Sequence, residues 1–179
     1  MFVTDPQRTP EPERIAKRLP AGAAIIFRAF GAADAAERGH ALKAIARRRG
    51  LLLLVGADAG LARRIGADGV HLPERSAHRA GAIKRARPGW LVTAAAHGLP
   101  AARRAFLAGA DAVLLSPVFP SRSPSAKGAL GPLRFAAMAR AAGGPVYALG
   151  GVDGATARRL AASAAIGVAA VEGLAGSRT

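Results

Sequence analysis

Apolar residues in this chain gather into short continuous runs at residues 1–4, 23–28, 51–55, 69–72, 90–94, 112–115, 146–149 and 167–171. Each run is of strand length, and none alternates apolar with polar. That is the pattern of strands in a parallel sheet covered on both faces. Between the runs lie Ala- and Arg-rich stretches with helical spacing, at 12–19, 33–49, 59–65, 77–86, 99–108, 132–142 and 155–163. An eighth helix has room only at 172–176. Eight strands alternating with helices predict an α/β fold, a compact single-domain (β/α)8 TIM barrel over residues 1–179. Such barrels usually take ~250 residues, so clipped loops and short helices are required.

An internal echo supports the alternation. Gly66-Ala67-Asp68-Gly69-Val70-His71-Leu72 recurs as Gly109-Ala110-Asp111-Ala112-Val113-Leu114-Leu115, with a degenerate third copy at 164–169. In each copy a helical stretch stops at or near a glycine, a residue that tolerates the left-handed helix terminus, and a strand follows.

Composition narrows the chemistry. The chain has no cysteine, which excludes disulfides, thiolate metal sites and a cysteine nucleophile and suits a reducing compartment. No apolar run approaches the ~18 residues of a membrane span, and the start lacks the pattern of a secretory signal, so the expectation is a cytoplasmic protein with no membrane partner. Net charge is +15, yet the arginines fall in pairs on nearly every helix instead of in one block, and Trp90 and Tyr147 are each alone in their type. A base-stacking platform is hard to build from that set, so nucleic acid is an unlikely partner and the charge reads first as a solvated exterior.

In a barrel of this kind the site lies at the C-terminal ends of the strands. The residues there are Asp5, Arg28, Gly56 to Asp58, His71 to Glu74, His97, Ser116 to Phe119, Gly150-Gly151 and Glu172. Gly150 and Gly151 follow the seventh run, where bare backbone N–H groups can cradle a phosphate; the competing reading is a tight turn with Asp153 as helix cap. His97 follows the fifth run at the start of a helix and suits proton transfer near neutrality, or else caps a loop. Arg28, the one charge in its run, serves an anionic ligand or an internal ion pair. His71 reads as a hydrogen-bonded structural residue, because Val70 and Leu72 face the other side of the sheet. The loop 117–131 is rich in Ser, Pro and Gly. It predicts a lid that brings Phe119 and either Arg122 or Lys127 inward, with Phe119 as core anchor the alternative. His40 and His78 read as solvated, and no pair of histidines has metal-ligand spacing.

In order along the chain, Phe2-Val3-Thr4-Asp5, Arg28, the Gly66 to Leu72 segment, His97, Pro117-Val118-Phe119-Pro120-Ser121 and Ala148-Leu149-Gly150-Gly151-Val152 resemble the thiamine phosphate synthase/TenI family of small (β/α)8 barrels. The resemblance implies binding of a thiazole phosphate, with Arg28, Ser116, Phe119, Lys127, Gly150 and Gly151 as candidate substrate- and phosphate-binding residues; the unusual shortness of the barrel and its thin helices leave a homodimer open. The synthase branch condenses a pyrimidine pyrophosphate with thiazole phosphate using Mg²⁺. This chain departs from that pattern: Gly56-Ala57 stand where the family has Asn-Asp, Ser76 at the second metal carboxylate, Phe30 at a basic position and Pro124 at the loop lysine. The TenI branch is a thiazole tautomerase that shifts a proton with a histidine matching His97 and needs no metal. The residues favour that branch, with no cofactor, over a divergent Mg²⁺-dependent synthase or a non-catalytic binder. Glu172, where the family has a small polar residue beside the phosphate, is a further departure.

Overall fold

In the computed structural model the chain is described over residues 1–121 and 128–174. Eight strands appear in the expected places: β1 (Phe2–Val3), β2 (Ala24–Phe27), β3 (Leu52–Gly56), β4 (Gly69–Leu72), β5 (Leu91–Ala96), β6 (Ala112–Leu115), β7 (Val146–Leu149) and β8 (Gly167–Ala169). They pair in sequence order, every pair parallel. The ring closes where the Val3 N–H donates to the Ala170 carbonyl at 2.9 Å and the Ala170 N–H to that of Met1 at 3.1 Å. The fold is thus the expected (β/α)8 barrel.

Side chains alternate across the sheet. Phe2, Ile25, Leu53, Val70, Val92 and Val113 point outward into the main core, against the helices. Val3, Ile26, Leu54, Leu114 and Ala169 form a separate inner cluster that fills the barrel. Both faces are dry, which is why the strands read as unbroken apolar runs.

The helices are α1 (Pro12–Ala16), α2 (Ala35–Arg49), α3 (Ala59–Arg64), α4 (Ala80–Ala86), α5 (Leu99–Leu107), α6 (Pro132–Ala141) and α7 (Gly154–Arg158). Short helices are how the barrel fits its length. The stretches expected at 12–19 and 155–163 stop early and continue as tighter turns, with Leu19 N–H on Ala16, Leu160 N–H on Ala157 and Ser163 N–H on Leu160. The stretch expected from 77 begins instead as a 3₁₀ turn, Glu74–Arg79. Of the expected eighth helix, Glu172 to Leu174 form turns, and 175–176 fall outside the described residues.

The sequence echo has a physical basis. Asp68 accepts from the Leu53 N–H at 2.8 Å and from Lys43 Nζ at 2.6 Å. Asp111 accepts from the Val92 N–H at 2.7 Å and from Lys84 Nζ at 3.0 Å. Each aspartate, just before its strand, clamps the start of the preceding strand and a lysine of an outer helix. The third copy has Ile166 at that place, which keeps only its backbone bond to Val146.

Candidate active site

The C-terminal ends of the strands surround an open basin of about 1890 Å³ lined by Arg28, Gly56, His71, His97, Ser116, Gly150 and Gly151. Its floor is apolar, lined by Val3, Leu114 and Leu149. The basin has ample room for a small heteroaromatic ligand.

His97 leaves β5 and precedes Gly98, the cap of α5. One carboxylate oxygen of Glu74, Oε2, accepts from the His97 backbone N–H at 2.8 Å and lies 2.8 Å from Nδ1 of the same ring. A carboxylate can only accept, so this contact places a proton on Nδ1 and leaves Nε2 as the open ring nitrogen. Both side chains are partly exposed at the rim. Sequence reasoning placed Glu74 at a strand end but gave it no partner. Glu74 follows β4 and His97 follows β5, and these neighbouring strands bring the two residues together.

His71 points into the barrel from β4, with Nδ1 2.9 Å from Thr93 Oγ1 on β5. Its ring is enclosed but retains an edge on the basin. Desolvation, with a smaller contribution from the nearby Arg28 charge, lowers its pKa to about 4, so at neutral pH it is an uncharged imidazole. The hydrogen bond is the structural role expected of it.

Arg28 crosses the end of the barrel above Gly56, where an added Cβ would lie 3.1 Å from Arg28 Cγ. Its Nε donates to the Thr4 carbonyl at 2.6 Å and Nη2 to Asp5 Oδ2 at 3.0 Å. The guanidinium stacks 5.3 Å from the ring centre of Phe30, an exposed residue with φ of 48°. Arg8 shares Asp5 Oδ2 at 3.2 Å and reaches Glu172 at 3.9 Å. Burial works to raise the Asp5 pKa, but the hydrogen bonds from Arg8 and the charges of Arg8 and Arg28 together outweigh it and hold the carboxyl below its ordinary value. Of the two roles foreseen for Arg28, the internal ion pair is present, and the side chain also lines the basin.

Ser116 ends β6 at the rim, its N–H on the Ala96 carbonyl. Gly150 and Gly151 have φ of 94° and 63° and press against the loop after β6. An added Cβ would come within 2.7 Å of Pro117 Cα at Gly150 and 2.4 Å of the Pro120 carbonyl oxygen at Gly151. Asp153 caps α7 in a reciprocal box with Thr156. The turn reading of the two glycines therefore holds in the structure, and both still face the basin. Phe119 does not line it: the ring is buried, with Arg159 5.1 Å from its centre. This is the anchoring alternative. The loop is tied at its base by Leu130 N–H to Pro117 and Gly131 N–H to Val118; Arg122 and Lys127 lie outside the described residues. His40 and His78 are exposed, as expected.

Whether these residues suit a divalent cation follows from the donor set. Among the described residues no three His, Asp or Glu groups converge. Asp58 caps α3 through the Leu61 N–H, Glu74 holds His97, and Asp5 and Glu172 face arginine. Mg²⁺ in such sites usually keeps several waters and is held by one or two carboxylates together with substrate phosphates, and each of these described rim carboxylates is already engaged by a backbone N–H, a histidine or an arginine. No helix among the described residues is long and apolar enough to cross a membrane.

Comparison with known proteins is consistent along the whole chain. The Pyrococcus furiosus thiamine phosphate pyrophosphorylase superposes with a TM-score of 0.81 and 26% identity, covering 96% of this chain and 84% of that one. A thiamine-phosphate synthase of Chromobacterium violaceum is 38% identical over 135 residues, 74% of this chain and 64% of its own length. One from Thiobacillus denitrificans is 34% identical over 94% of this chain and 83% of that protein. The chain thus spans under two thirds of some relatives and most of others. A KDPGal structure at 17% identity and TM-score 0.65 shares the fold alone. The family model for thiamine monophosphate synthase, TMP-TENI, matches residues 1–174, and the chain belongs to that family.

Proposed function

We propose that this protein acts in thiamine biosynthesis as a thiazole tautomerase of the TenI type, shifting a proton on a carboxythiazole precursor with His97 as acid and base. The observation that carries this reading is the Glu74–His97 pair at the rim of the basin, with Nδ1 held by the carboxylate at 2.8 Å and Nε2 left open. A neutral imidazole in that tautomer accepts a proton at Nε2, and the adjacent carboxylate stabilises the imidazolium that forms. The same nitrogen then returns the proton to a second ring atom. His97 alone can do both halves, so the reaction is balanced without any other reactant. Arg28, Ser116, Gly150 and Gly151 are the proposed binding residues because they line the same basin. Lys127 joins them on sequence grounds.

The relatives' names favour a second reading, condensation of a pyrimidine pyrophosphate with thiazole phosphate. That reaction must neutralise a multiply charged leaving group, and the described carboxylates do not form a divalent-cation site. A paired assay on the purified protein separates the two. One arm contains the carboxythiazole tautomer, as phosphate and as free alcohol; the other contains pyrimidine pyrophosphate, thiazole phosphate and Mg²⁺. Turnover is expected in the first arm only, with His97→Ala lowering kcat by roughly 10²- to 10⁴-fold while binding persists. Metal-dependent thiamine phosphate in the second arm reverses the assignment.

A further inference from the structure

The loop after β2 carries a strained aromatic residue. Its tight turn closes where the Ala32 N–H donates to the Ala29 carbonyl at 3.0 Å, and the two central residues, Phe30 and Gly31, have φ of 48° and 78°. Positive φ at both central positions is the pattern of a primed turn, where glycine, asparagine or aspartate is the ordinary first central residue. A bulky side chain there is an outlier. Among the described residues only Phe30 and Ala57 are non-glycine residues with positive φ; they follow or end the neighbouring strands β2 and β3, and both line the basin. Ala57 has a backbone cause, since its N–H is held by the His71 carbonyl at 2.8 Å. Phe30 has no such cause in the core, because the residue is 71% exposed. What its ring does meet is the guanidinium of Arg28, 5.3 Å from the ring centre. That guanidinium is fixed by the Thr4 carbonyl and Asp5, with bare Gly56 beneath its stem, so the ring has a rigid backing. Strain kept at an exposed position in a pocket points to a role in binding.

We propose that Phe30, backed by Arg28, is a specificity residue of this site, a stacking surface that selects a planar aromatic ring at the corner of the basin where β2 and β3 end. The inference rests on the thiazole reading given above and deepens it by assigning the residue that recognises the ring itself. Phe30 offers an exposed aromatic surface beside an apolar floor. Offset rings attract through their quadrupoles as well as through the area that they bury. The guanidinium and the turn set the position of the Phe30 ring before the ligand arrives, so little side-chain freedom is lost on binding. A saturated ring of the same size fills the basin equally but presents no flat face, and so gains less from Phe30.

Calorimetric titration of the full chain with the carboxythiazole alcohol and with its ring-saturated thiazolidine counterpart tests this. The wild-type protein is expected to bind the planar ring roughly tenfold more tightly. Phe30→Asn, which suits the turn but has no ring, is expected to weaken thiazole binding roughly tenfold and to leave thiazolidine binding within about threefold. Its melting temperature is expected to equal or exceed that of the wild type, because the turn is relaxed. Phe30→Leu, apolar but without a π face, is expected to lose thiazole affinity as well, whereas Phe30→Tyr keeps it within about threefold. Thiazole affinity unmoved in Phe30→Asn and Phe30→Leu, or equal losses for both ligands, overturns the stacking surface while leaving the thiazole reading intact. A melting temperature several degrees lower in Phe30→Asn assigns the ring to the fold, and a dimer of the wild type that this variant loses assigns it to a second copy; either result also overturns the proposal. If the wild-type protein binds no thiazole, the thiazole reading falls and the stacking surface with it.

Discussion

Lowering the pH from 7 to 4.5 is expected to destabilise the protein through His71 alone by at most about 2–3 kcal/mol. The figure follows from where that imidazole sits. In the unfolded chain it titrates near its ordinary value of 6.5, whereas in the barrel desolvation and the Arg28 charge lower it to about 4. Between those values the unfolded state binds the proton and the folded state does not, so stability falls as pH falls. The loss is about 1 kcal/mol by pH 5.5 and about 2–3 kcal/mol by pH 4.5, and the edge that His71 shows to the basin makes these upper limits. Asp5, also held low, contributes its loss only below the ordinary carboxylate range and so stays outside this window. Melting temperatures at pH 7, 5.5 and 4.5 read the effect directly, with roughly 5–10 °C expected across the range for a chain of this size. The control is His71→Gln, which keeps a polar tip beside Thr93 and cannot titrate. If that variant loses as much stability on acidification as the wild type, the buried neutral imidazole is not the cause and the reasoning fails.

Two further outcomes follow from the fold. Asp68→Ala removes the acceptor for the Leu53 N–H and the partner of Lys43, so chemical denaturation is expected to show a loss of about 2–4 kcal/mol, with Asp111→Ala behaving alike; a change under 0.5 kcal/mol in either would mean that the repeated aspartate is not a clamp. Gly150→Ala places a Cβ 2.7 Å from Pro117 Cα at a φ of 94°, and is expected to cost at least about 2 kcal/mol and to loosen the loop after β6, seen as faster proteolysis at its base; an unchanged melting curve would refute the close approach.

The barrel was legible because each strand lies in a short apolar run set apart by polar or glycine-containing stretches, and because the inner cluster around Leu54 and Leu114 makes both faces of the sheet dry. Helix lengths were less legible. Ala-rich segments such as 155–163 have high helix propensity throughout, and only the need to turn back toward Gly167 within a few residues converts their ends to tighter turns. His97 was readable from its place after a strand, but its partner was not. Glu74 is 23 residues away, and the pairing exists only because the β4–β5 register sets His71 beside Thr93 and so brings the two strand ends level. Arg28 and Phe119 each carried two readings in the sequence, since what decides between ligand contact and internal packing is whether Asp5 or Arg159 comes within reach, and neither is local to the residue it meets.

The distribution of charge shows why a net +15 says little about the basin. In a barrel whose strands are all parallel, every helix returns the chain, so helix ends lie on the face opposite the basin. The last turns there carry Arg47, Arg48 and Arg49 on α2, Arg63 and Arg64 on α3, Arg140 on α6 and Arg158 on α7. Cations at helix C-termini are each favourable by a few tenths of a kcal/mol or more, so the positions have a local cause independent of any ligand. Asp68 and Asp111, the carboxylates at the starts of β4 and β6 on that side, are matched by Lys43 and Lys84. At the basin the arrangement is different, because Arg8 and Arg28 lie against the carboxylates of Asp5 and Glu172. A ligand arriving there meets local pairs instead of the field of the whole chain, and surface charges more than a Debye length away, about 8 Å at physiological salt, are largely screened from it. The potential that a ligand meets in the basin is therefore set by these nearby groups, and not by the arginines and lysines of the exterior.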